Sequence, residues 1–89
     1  MLKPSYTNQF KKDLKLMDRR GKPMEKFKEV ADDLISEVPL EARFRNHKLT
    51  GNYKGRWECH LEPDWLLVYK FFGDEITFER TGTHSDLFE

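Results

Sequence analysis

The chain has 89 residues, with 16 Lys plus Arg against 16 Asp plus Glu and with 37% hydrophobic and 13% aromatic content. That length suits one small globular domain, residues 1–89, and excludes a second, while zero formal net charge excludes whole-molecule attraction to nucleic acid or anionic membranes. Trp65 to Tyr69 is the longest apolar run, the opening residues carry no signal-peptide pattern, and a lone Cys59 permits neither an internal disulfide nor a multi-Cys zinc site, so a cytoplasmic location without membrane contact is expected.

In chain order, Leu2 to Tyr6 can form a strand, confined to an edge because Pro4 has no ladder donor. Between Thr7 and Arg20, Phe10, Leu14 and Met17 recur at i, i+4 and i+7, which predicts an amphipathic helix capped by Thr7 or Asn8. Gly21 ends it in a left-handed conformation, and Pro23 suits the first turn of the next helix. From Met24 to Val38, Phe27, Val30, Ala31, Leu34 and Ile35 repeat the helical spacing, Pro39 stops the helix, and Leu40 to Phe44 can add a short turn. After Gly51 the period changes to two. In Gly55 to Leu61, Trp57, Cys59 and Leu61 face one way and Arg56, Glu58 and His60 the other. Pro63-Asp64 makes a turn, Trp65 to Phe72 reads as a central strand covered on both faces, and Gly73-Asp74 turns into Glu75 to Thr81, where Ile76 and Phe78 face the helices. Arg80 shares their parity at the strand end. The sum is an α+β fold: two N-terminal helices packed on one face of a mainly antiparallel sheet of three to four strands.

Arg43, Arg45, His47, Lys48, Lys54 and Arg56 fall within fourteen positions that contain no acid, so the neutral total hides a local basic stretch. A solvated loop and strand face is the plain reading of such a run. All three histidines lie here or further on: His47 before the loop, His60 at a strand end and His84 after the last strand. Imidazole titrates near neutrality, which suits proton transfer to or from hydroxyl and leaving oxygens. A metal-independent ribonuclease needs a base for the ribose 2′-hydroxyl, an acid for the 5′-oxygen and cations for the charged intermediate; His, Asp, Arg and Lys meet those needs. A site of two His and one carboxylate that includes His60 and Asp64 is the metal alternative, but Pro63 denies these two a helical spacing, and no cofactor is expected. Trp65 can close the core. Phe88 can dock the tail or stack on an RNA base, and Arg80 can reach a phosphate or pair with a carboxylate. Cys59 reads as a small buried hydrophobe rather than a nucleophile, because its neighbour His60 faces the opposite side of the strand.

The run Gly51-Asn52-Tyr53-Lys54-Gly55, the motif His60-Leu61-Glu62-Pro63-Asp64-Trp65 and the motif Arg80-Thr81-Gly82-Thr83-His84-Ser85-Asp86-Leu87-Phe88 closely resemble the YafQ-like toxins of the RelE superfamily. The resemblance covers nearly the whole chain. It implies an endoribonuclease (mRNA interferase) that cuts messenger RNA in the A site of the 70S ribosome, without a metal, by attack of the 2′-hydroxyl to leave a cyclic phosphate. It also implies inhibition by a cognate DinJ/RelB-like antitoxin, with operator DNA contacted only through the antitoxin complex. Carried onto this sequence, it makes His84 the general acid, Asp64 or His60 the general base, and His47 a phosphate or transition-state contact. Trp65 and Phe88 become packing or base-positioning groups; Arg80, Lys54 and Arg56 are expected as substrate contacts from their charge and position alone. The Lys, Arg and Tyr pattern of RelE itself is not matched. A non-catalytic module that binds RNA or the antitoxin is the alternative from another functional class.

Overall fold

The computed structural model describes residues 1–88. Its elements are β1 (Lys3–Tyr6), α1 (Asn8–Arg19), α2 (Met24–Ile35), a 3₁₀ turn (Ala42–Phe44), β2 (His47–Lys48), a second 3₁₀ turn (Gly51–Tyr53), β3 (Trp57–Glu62), β4 (Trp65–Phe72), β5 (Glu75–Gly82) and α3 (His84–Phe88). The strands form one sheet in the order β1-β5-β4-β3-β2, antiparallel except where β1 runs parallel to β5. The expected α+β layering is present, with five strands in place of three to four. The additional strand is β2, two residues that pair His47 with Glu58 and Lys48 with Trp57. So short a strand leaves no alternation to read in a sequence. Pro4 lies on the edge strand, as its missing donor requires.

Thr7 caps α1: its Oγ1 accepts from the Phe10 N–H at 2.9 Å and donates to the Glu79 carbonyl at 2.9 Å, so one hydroxyl starts the helix and ties it to β5. Gly21 follows with φ +83°, a left-handed value that a side chain would resist. Pro23 stands at the N-cap of α2, one position before the first turn, and gives no side-chain cap bond. Helices α1 and α2 bury Phe10, Met17, Phe27, Val30, Ala31 and Leu34 against Cys59, Leu61, Trp65, Leu67, Tyr69, Ile76 and Phe78 on one sheet face. Full burial of each large side chain contributes about 1.5–3 kcal/mol. Among the described residues no helix is long and apolar enough to cross a membrane.

The opposite face is thinly covered. Leu66 and Val68 are buried there with Leu87 of α3 and half-buried Leu49. The short helix α3 is fixed by a reciprocal pair of bonds, Asp86 N–H to Thr83 Oγ1 at 3.2 Å and Thr83 N–H to Asp86 Oδ2 at 2.9 Å, the two halves of a capping box. Arg20 adds a bond from the far side, 2.8 Å to Asp86 Oδ2. Gly82 has no room for a side chain, since a Cβ there would lie 2.9 Å from the Asp86 Cβ.

Candidate active site

The thinly covered face carries the histidines. Glu58 and His60 pair with Val68 and Leu66 across the β3–β4 ladder, and directly opposed residues share a face. His47 pairs with Glu58 on the other flank. His84 opens α3, whose Leu87 anchors it on the same face. The His47 and His60 ring centres are 6.3 Å apart and those of His60 and His84 6.4 Å, so three imidazoles stand in a row. Asp64, in the turn after β3, accepts from the His84 backbone N–H at 3.0 Å and lies 3.8 Å from its Nδ1. Phe88 is 38% exposed, with its ring centre 5.7 Å from that of His84 and 5.3 Å from that of Tyr53. Residues separated by 41 positions, from His47 to Phe88, are thus gathered on one surface.

Glu58 is the residue that sequence reasoning passed over. Only 4% exposed, it places Oε1 3.5 Å from His47 Nε2 and 3.4 Å from His60 Nε2. The opposite nitrogens face main-chain carbonyls, His47 Nδ1 at 2.7 Å from Arg45 O and His60 Nδ1 at 3.3 Å from Pro63 O. A carbonyl only accepts, so Nδ1 carries the proton in both rings, and Nε2 can donate to Glu58 only when the ring is charged. The available signal was an acid on the histidine face of a strand of alternating pattern, two residues before His60.

Trp65 requires correction as a substrate contact. It is 0% exposed and its indole N–H bonds Thr81 Oγ1 at 2.9 Å, so it belongs to the core and cannot touch RNA. The parity of Arg80 also changes. A bulge between Val68 and Tyr69 pairs Val68 with Arg80 and Tyr69 with Phe78, which leaves Glu79 unpaired and turns Arg80 to the face opposite Ile76 and Phe78. From there its Nε reaches Asp13 Oδ2 at 2.7 Å, a buried carboxylate that also accepts from the Thr81 N–H at 3.2 Å. Arg80 and Arg56 line one groove with Tyr53, and Arg56 is paired with Glu79, so both arginines are held by carboxylates beside the site. Lys54 is exposed on the loop that ends the second 3₁₀ turn. Cys59 is fully buried, and burial first, then Glu58, pushes its thiol up to about 12, which removes it as a nucleophile.

Residues 2–89 match a family described as a bacterial toxin of type II toxin-antitoxin system, YafQ. The chain belongs to the YafQ toxin family. It is 45% identical over 84 residues to the mRNA interferase toxin YafQ of Escherichia coli strain K12, which covers 93% of this chain and 91% of that one. Its fold superposes on YafQ in the E. coli DinJ–YafQ complex with a TM-score of 0.93 at 42% identity over 100% of both chains. A metal-bound toxin from Helicobacter pylori gives 0.93 at 37% identity over 99% of this chain and 100% of that one. In the present YafQ family member, no three His, Cys, Asp or Glu side chains among the described residues are disposed to hold a metal. The imidazole nitrogens of His47 and His60 face protein oxygens instead.

Proposed function

We propose that this chain is an mRNA interferase, an endoribonuclease toxin that cuts messenger RNA in the ribosomal A site. The observation that carries this reading is the row of three imidazoles, 6.3 and 6.4 Å apart, with Asp64 against His84 on an open sheet face. Side chains this close together can act on one phosphodiester laid across the row.

In this mechanism Asp64 takes the 2′-hydroxyl proton. Its Oδ1 is engaged by the His84 N–H, while its Oδ2 has no bond among the described residues. The 2′-oxygen attacks phosphorus to form the 2′,3′-cyclic phosphate, and His84 gives its proton to the departing 5′-oxygen. His47 and His60, whose ring nitrogens already face protein acceptors, flank the phosphate rather than act as bases. Phe88 and Tyr53 form an aromatic edge on which a base can stack, and Arg80 and Arg56 supply positive charge along the groove. No step is routed through a metal.

A DinJ/RelB-like antitoxin is the expected inhibitor, since the E. coli relative is crystallised with DinJ. Operator DNA is then contacted through that complex. The test is mapping of message 5′ ends on translating 70S ribosomes, with and without EDTA. Codon-aligned cuts that persist in chelator are expected. Retention of RNA with no new ends would make the chain a binding module, and cuts abolished by EDTA would sink the metal-independent mechanism.

A further inference from the structure

Beside His60, on the flank away from Arg80, a cavity of about 360 Å³ opens between α2, the 3₁₀ turn at Ala42–Phe44 and the end of β3. Its charged walls are Lys26, Arg43, Arg45 and Glu62, and its apolar wall includes Phe44 and Pro63. The carboxylate is already neutralised: Glu62 accepts from Lys22 at 3.1 Å and from Lys26 at 3.0 Å. Arg43 stands over the Phe44 ring at 4.5 Å, between Glu41 at 3.5 Å and Glu29 at 3.7 Å, and is 62% exposed. Arg45 has no ion pair or side-chain hydrogen bond among the described residues. It also adopts φ 48° and ψ 47°, a left-handed conformation that glycine or asparagine would occupy more readily than arginine. A backbone outlier with an uncommitted guanidinium at the mouth of a cavity is the kind of position where conformational cost accompanies a binding role. The Arg45 carbonyl, meanwhile, holds His47 Nδ1 at 2.7 Å, so this residue is tied to the imidazole row through its main chain.

We propose that this cavity is a binding subsite for a nucleotide of the message next to the cleaved linkage. Arg45 and Arg43 hold its phosphate, and exposed Pro63 meets its ribose or base, while Phe44 is the buried floor beneath Arg43. The inference rests on the ribonuclease reading above. It favours RNA over an acidic peptide because His60 belongs to both the imidazole row and the cavity wall, so a strand lying along the row passes the cavity mouth.

Arg45→Gly removes the side chain while keeping the carbonyl and suiting the left-handed backbone. The experiment compares it with the unaltered chain and with Arg45→Lys on ribosomes carrying short synthetic messages, natural or with a neutral methylphosphonate at either linkage flanking the cut. Arg45→Gly should unfold at no lower temperature than the unaltered chain and cleave the natural message about tenfold more slowly, as loss of one charged hydrogen bond predicts. One of the two neutral linkages should slow the unaltered chain by a similar factor and leave Arg45→Gly unaffected, and Arg45→Lys should recover part of the rate. Full-rate cleavage by Arg45→Gly, or weakened antitoxin binding alone, would overturn the subsite. So would a loss equally additive with both neutral linkages, which would point to ribosomal RNA as the contact. Failure of the unaltered chain to cut at all would overturn the ribonuclease reading and the subsite with it.

Discussion

Each of two imidazoles is clamped between a main-chain carbonyl and one oxygen of the same buried carboxylate, and this makes Glu58 the pivot of the site. Glu58→Gln keeps its volume and one acceptor oxygen but removes the negative charge that both imidazoles face. Cleavage by this variant is expected to fall about tenfold in single-turnover assays, in line with the loss of a charge-assisted hydrogen bond, with the melting temperature nearly unchanged. His84 is 62% exposed at the side chain, so His84→Ala should leave denaturant unfolding unaltered while slowing cleavage by about 10² or more, the contribution of a general acid. Trp65 behaves in the opposite way. Trp65→Phe removes the bond to Thr81 and leaves a small void, at about 1–3 kcal/mol of stability, yet cleavage per folded molecule should persist. Comparison of active-fraction-normalised rates with urea midpoints separates the two classes.

Among the elements, α3 decides whether the site is assembled, because it brings both His84 and Phe88 to the sheet. The Arg20 guanidinium first, and then the Thr83 N–H, hold the Asp86 carboxyl down to about 2 against an ordinary 3.8. A depressed folded-state pKa gives stability that is fully present above pH 3.8 and is lost as pH falls through about 2. The melting-temperature gap between the wild type and Asp86→Asn should therefore be constant above that window and close within it. Gly82→Ala crowds the same carboxylate and should lower both stability and cleavage, measured together on one preparation. This helix went unread in the sequence, where Phe88 stood only as a terminal aromatic. The signal was there in Thr83-His84-Ser85-Asp86, a four-residue capping pattern too short to show helical periodicity. The two long helices were legible because each repeats its apolar spacing over three turns.

Over the whole molecule, the positive charge that matters is local and partly cancelled. Arg56, Arg80 and Lys26 are all held by carboxylates, and the net charge is zero. Affinity for naked RNA should be weak and fall steeply with salt in retardation assays at concentrations that cleave ribosome-bound message. High affinity for free RNA would contradict presentation of the substrate by the ribosome. The sequence by itself determined the layer of two helices on a sheet, the burial of Cys59 and the set of histidines, since periodicity and residue chemistry are local properties of the chain. Only the tertiary structure decided that Trp65 is core, that a bulge at Glu79 turns Arg80 to the other face, and that buried Glu58 joins His47 to His60. The partners of Trp65 and Glu58, Thr81 and His47, are distant in the chain, and the facing of Arg80 rests on register. Facing depends on register with a neighbouring strand, and one unpaired residue reverses it without leaving any mark in the sequence pattern.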